Sequence, residues 1–264
     1  MVRLKPDWVY VVCDEVLRIG RSASVGKLDS SAALEEYTLE ELLGRKDCQA
    51  NQSLMLINTE FPVTEQFDPE IDRYRDTDAV MNVCVMDAYE RMSAYIADRF
   101  QEDLYIRSAY RTAEEQEAAI AERGEKATEV NASEHQAGLS LDVYVKYFGG
   151  SSFLKTKVGQ FVNSSCWEYG FIVRYPYYGT KQTGIGFEPW HIRYVGCPHA
   201  EIIYKNSLTL EEYLDRIEQD QFYVYGKYVI TKQKGEVFHL PEGFSSLVIS
   251  PDNRGNYVIT LKMP

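Results

Sequence analysis

From about 78 to 100 apolar residues return every three or four positions: Val85, Tyr89, Met92, Ile96 and Phe100. That spacing lines them along one stripe and predicts a helix facing the core. Earlier, the β-rich run Trp8 to Cys13 predicts a short strand. Residues 32–44 predict a short helix ending at Gly44, and Leu54 to Asn58 a strand before a loop with Pro62 and Pro69. Beyond the long helix, residues 103–107 predict a strand. Thr112 and Glu115 then have the spacing of a capping box, opening a charged helix to about Arg123. Strands follow at 139–146, 171–175 and 191–195, with a helix around 153–169.

After about residue 200 the pattern changes. Thr209 and Glu212 again fit a capping box, opening a helix through Ile217. The rest alternates and turns: 222–232, 236–240, 246–249 and 257–262, with a turn signal over Asp252 to Asn256. These shifts suggest three parts: a segment 1–53 of unassigned role, a main domain 54–217, and a small β-rich appendage 218–264. No internal repeat interrupts them.

Composition narrows the class. The 264 residues are 45% hydrophobic and 26% charged, as in a soluble globular protein. A net charge of −12 with no basic run disfavours nucleic acid, whose backbone is held largely by Lys and Arg. Five cysteines, an odd number with no CxxC pair, read as reduced thiols rather than a disulfide framework. With no apolar stretch long enough for a membrane span or signal near the start, the expectation is a cytoplasmic protein, a cell-surface anchored form being the alternative.

The chemistry concentrates in two segments. One is Ser133-Glu134-His135-Gln136-Ala137-Gly138-Leu139-Ser140-Leu141-Asp142, the other Phe187-Glu188-Pro189-Trp190-His191. They supply two imidazoles and a carboxylate, with a second carboxylate three residues before the last histidine. Catalytic zinc commonly takes three protein ligands and leaves a fourth position for water, and His135, Asp142 and His191 meet that requirement. Glu188 would accept the water's proton. Pro189 argues against a helical HExxH site. Taken singly, each histidine is more often a structural residue; the joint pattern is harder to reach by chance. His199 and His239 are read as structural or surface residues.

The segment 133–142 resembles the SxHxxGxxxD signature of VanY-type D-alanyl-D-alanine carboxypeptidases, and Glu188 to His191 resembles their ExWH. Ser108-Ala109-Tyr110-Arg111 with Gln116 is similar to their SxYR…Q segment, and Tyr194-Val195-Gly196 with His199-Ala200 to the residues after ExWH. The likeness covers roughly 54–217. It implies an α+β domain with a small central antiparallel sheet, flanking helices and a cleft holding one zinc ion on His135, Asp142 and His191. It further implies Glu188 as general base and Arg111 as the cation that stabilises the oxyanion. Ser133, Gln116 and Ser140 would hydrogen-bond the substrate, local capping being the competing reading, while Trp190 walls the pocket or lies in the core. The implied substrates are peptidoglycan pentapeptide precursors ending in D-Ala-D-Ala, the free dipeptide, or both, in glycopeptide resistance or cell-wall metabolism. Rival readings are an endopeptidase and a non-catalytic wall-binding module. Ser140 departs from the alanine usual there.

Overall fold

The apolar stripe does form a helix, Val83–Phe100, which buries Val85, Ala88, Tyr89, Met92 and Ile96. It starts later than expected because Val80–Asn82 pairs with Ile71–Arg73 as a two-stranded ladder. Asn82 then caps the helix, its side chain accepting the Cys84 N–H at 3.2 Å. The computed structural model describes residues 18, 20–28, 33–64, 66–123 and 129–264, so the strand expected at 8–13 lies outside the described residues, as does Cys13.

The chain divides into two units. One holds Ile57–Glu211; the other joins Ala23–Leu56 to Glu212–Pro264. The first is built on a four-stranded antiparallel sheet in the spatial order Tyr105–Ser108, Ser140–Tyr144, His191–Tyr194, Phe171–Val173. The expected helix near 153–169 is an α-helix, Lys157–Ser165, between two 3-10 turns, Gly150–Lys155 and Cys166–Tyr169. The helix Ala113–Arg123 starts where the capping box places it: Thr112 N–H meets Glu115 Oε2 at 2.9 Å, and Glu115 N–H meets Thr112 Oγ1 at 3.2 Å.

The second unit carries a six-stranded sheet in the order Gly26–Lys27, Phe222–Tyr225, Tyr228–Gln233, Tyr257–Lys262, Ser246–Pro251, Cys48–Ala50. Its last pairing is parallel. Leu34–Thr38 pairs separately with Val237–Pro241. Leu42, Val229, Phe238, Leu240, Leu247, Ile249, Ile259 and Leu261 form its core.

Three expectations change. Among the described residues of 32–44 only Leu39–Leu43 is helical, because Thr38 and Glu41 close the capping box and residues 34–38 pair as a strand instead. Residues 54–58 form no strand. Leu54 and Leu56 are buried there, but their N–H groups bond Ser250 Oγ at 2.9 Å and the Asp252 carbonyl at 3.2 Å rather than a ladder. Nor is the 1–53 boundary a structural one, since Gly26–Lys27 and Cys48–Ala50 share one sheet with strands of 218–264. Cys48, Cys84, Cys166 and Cys197 are not in disulfide bonds. Among the described residues no helix is long and apolar enough to cross a membrane.

Candidate active site

Directly opposed residues on an antiparallel ladder share a face, and here Asp142 pairs with His191. The ladder therefore brings together two residues that lie 49 apart in the chain. His135 arrives from a 3-10 turn, Glu134–Ala137, that ends at Gly138 with φ +64°. A Cβ at Gly138 would sit 2.6 Å from the Asn82 backbone nitrogen, so only glycine passes through this bend.

Each ring has a defined orientation. His135 Nδ1 lies 2.6 Å from the Ala109 carbonyl. A carbonyl can only accept, so Nδ1 carries the proton and Nε2 keeps its lone pair. That Nε2 is 3.6 Å from Asp142 Oδ2, and His191 Nδ1 is 2.9 Å from Asp142 Oδ1. One donor atom from each of the three buried residues lies within 4.8 Å of the others. Among the described residues no other His, Cys, Asp or Glu group has this character.

The charges suit a cation. Burial opposes ionisation of Asp142, but His135 and His191 outweigh it and hold the carboxyl well below the usual range. Burial pushes His135 down, partly offset by Asp142. Burial also works against the His191 imidazolium, yet its contacts with Asp142 and Glu134 prevail and raise it to about 9. Two imidazole nitrogens and a carboxylate are a zinc donor set. Zinc ligands at about 2.0 Å in a tetrahedron stand about 3.3 Å apart, and one donor atom from each of these residues lies within 4.8 Å of the others. The residues present fit one zinc ion.

Arg111 and Glu188 flank this cluster. Arg111 Nε donates to Ser108 Oγ at 2.8 Å, Nη1 to Gln116 Oε1 at 3.2 Å, and Nη2 to Asp142 Oδ2 at 3.4 Å. Its backbone N–H bonds the His135 carbonyl at 3.1 Å, tying the two segments together. Glu188 is half-buried, with Oε2 3.9 Å from His191 Nδ1. Its N–H bonds the Tyr175 carbonyl at 3.0 Å, and Asn163 Nδ2 pins the Pro189 carbonyl at 2.8 Å.

The other expected contacts divide. The Ser133 side chain makes no capping bond to its turn. Gln116 is 1% exposed and supports Arg111. Ser140 is 0% exposed and lies on the ladder opposite Arg193. Trp190 is half-buried, and its carbonyl accepts the Val143 N–H at 2.9 Å. His199 is buried, which pushes it down to about 3, and His239 lies on the surface 3.2 Å from Glu36.

Several residues were not anticipated. Glu134 Oε1 accepts from Arg174 Nε at 2.7 Å and lies 3.5 Å from Arg193 Nε, all buried. Arg174 also donates to both oxygens of Glu211, at 3.0 and 2.6 Å. Burial opposes the Glu134 charge, but the two guanidiniums hold its carboxyl well below the ordinary range. The Tyr175 ring packs 5.0 Å from the His191 ring. The available signal was charge at positions where a strand should be apolar: Arg174 follows Phe171–Val173, and Arg193 lies within His191–Tyr194.

A family model described as VanY, D-alanyl-D-alanine carboxypeptidase, matches residues 78–197. A D-alanyl-D-alanine carboxypeptidase of Enterococcus faecium is 33% identical over 243 residues, spanning 86% of this chain and 77% of that protein. This chain belongs to the VanY family. A second relative, the bifunctional D-Ala-D-Ala dipeptidase and carboxypeptidase VanXYC of Enterococcus gallinarum, is 33% identical over 189 residues, covering 63% of this chain and 96% of that protein. Among solved structures, a Zn(II) complex of the vancomycin-resistance D,D-pentapeptidase VanY is similar with TM-score 0.56 and 28% identity, covering 61% of this chain and 98% of that one. The mixed α+β architecture is thus that of the VanY family. The matched span contains His135, Asp142 and His191 together with Arg111 and Glu188.

Proposed function

We propose that this chain is a zinc-dependent D,D-peptidase that removes D-alanine from termini ending in D-Ala-D-Ala. The observation that carries the reading is the buried His135, Asp142 and His191 cluster with Arg111 against Asp142 and Glu188 near His191. His135 Nε2, His191 Nδ1 and an Asp142 oxygen would hold the metal. Bound zinc supplies a Lewis acid that polarises the scissile carbonyl and makes water acidic enough to be deprotonated near neutral pH.

The protein's own groups do the rest. Glu188 is within reach of a water at the cluster, takes its proton, and returns it to the departing amine of D-alanine. Arg111 is held by Ser108 and Gln116 with its guanidinium aimed at the cluster. It bears part of the negative charge that develops on the carbonyl oxygen, without having to reorganise. The Ser133 hydroxyl is available for the substrate backbone or its terminal carboxylate. The similar D,D-pentapeptidase and the bifunctional dipeptidase and carboxypeptidase support both a pentapeptide precursor and the free dipeptide as substrates.

The test is D-alanine release from D-Ala-D-Ala and from a UDP-MurNAc-pentapeptide, with a chelator and then with added zinc. Release abolished by the chelator and restored by zinc is the expected result. Internal fragments from purified muropeptides, in place of free D-alanine, would point to an endopeptidase. No product with zinc demonstrably bound would refute the peptidase reading.

A further inference from the structure

Two buried polar atoms beside the cluster face each other without a hydrogen-bond partner: Glu134 Oε2 and His191 Nε2. They lie 3.9 Å apart. Buried polar groups are nearly always paired, because an unmade bond there forfeits hydration with nothing in return. Two such atoms aimed at one another need only a small ring movement to satisfy both.

We propose that Glu134 is a positioning residue for His191, accepting the Nε2–H of its imidazole when Nδ1 serves as a metal ligand. This rests on the metal-site reading above. A neutral imidazole has one N–H and one lone pair, so a ring that gives Nδ1 to a metal must carry its proton on Nε2. An acceptor behind Nε2 fixes that tautomer and the ring's orientation. A carboxylate acceptor also makes Nδ1 a stronger donor. His135 has the corresponding device in reverse, its Nδ1–H held by the Ala109 carbonyl so that Nε2 is presented. The two ligand rings are thus each locked from behind, one by a neutral carbonyl and one by an anion.

The surroundings hold Glu134 for this task. Its Oε1 is anchored by Arg174 and approached by Arg193, and Glu211 fixes the remaining face of Arg174. An ion-pair role is met by Oε1 alone and gives no reason for Oε2 to point at the ring. The Tyr175 ring at 5.0 Å and the His135 ring at 5.1 Å also pack near His191. A bond from Nε2 to Glu134 further restricts rotation of the ring about Cβ–Cγ.

The first test needs no substitution. In the zinc-loaded protein, ring ¹H–¹⁵N spectra should show a slowly exchanging, downfield proton on His191 Nε2; a bare or rapidly exchanging Nε2 would overturn the proposal. The second compares zinc dissociation constants by chelator competition. Glu134→Asp keeps the charge facing both arginines but withdraws the oxygen by one methylene. It should fold, bind zinc about 10- to 100-fold more weakly, and lose the downfield shift. Glu134→Gln should weaken binding as well. Folded variants with wild-type affinity and an unmoved His191 signal would show that Glu134 is only an ion-pair partner, and the proposal would fall. A wild-type protein that takes up no zinc would instead overturn the metal-site reading itself.

Discussion

At the scale of single residues, Glu188 and Arg111 separate turnover from metal binding. Glu188 stands 3.9 Å from the nearest ring nitrogen, outside the donor set. Glu188→Ala is therefore expected to lower the rate of D-alanine release by about 10²- to 10⁴-fold while zinc content stays at one equivalent; unchanged turnover would contradict its role as base. Arg111 meets three partners with one planar group, which an ammonium cannot reproduce. Arg111→Lys should cost about 10²- to 10³-fold in kcat, read from steady-state kinetics, with a smaller change in KM. The donor residues were legible because they stand inside two short segments. Glu134 stands inside the first of these and was still missed, since its meaning comes from Arg174, 40 residues away, and from Glu211 beyond it.

At the scale of elements, the bend at Gly138 sets the angle between the turn that bears His135 and the strand that bears Asp142. Gly138→Ala must hold a side chain at φ +64° and push it against the Asn82 backbone at 2.6 Å. The left-handed conformation alone costs about 1–2 kcal/mol. A fall in Tm of about 4 °C or more is expected by calorimetry, together with weaker zinc binding; a variant with unchanged Tm would show that the bend is not constrained. Elements with a strong local cause were readable from sequence: the striped helix 83–100 and the boxed helix 113–123 start or end within a few residues of expectation. Where the cause was distant, reading failed. Leu34–Thr38 looks helical until its partner Val237–Pro241 is known, and 54–58 is apolar because it is buried, not because it pairs.

At the scale of the whole molecule, acid should act through His199. Its neutral form is favoured in the fold, where burial pushes it down to about 3, against an ordinary value near 6.5. The unfolded chain gains a proton first as pH falls, so this contribution is full above about 6.5 and drains away toward 3. Between pH 6.5 and 4.5 the metal-free protein should lose about 2 kcal/mol more stability than His199→Gln, measured by urea unfolding; parallel curves would exclude His199 as the cause. The division into two units was the least legible feature, because nothing local marks residues 23–56 as belonging with 212–264. That division has a consequence for biosynthesis. Cys48–Ala50 leaves the ribosome with its strand partner about 200 residues in the future, a wait of about 10–40 s at ordinary elongation rates. The whole peptidase unit is made in the interval, so the nascent chain carries an unmatched sheet edge until almost its last residues emerge. A ribosome stalled before Ser246 would hold a chain with every residue of the Arg111 to Arg193 site already translated and an open strand exposed to other chains.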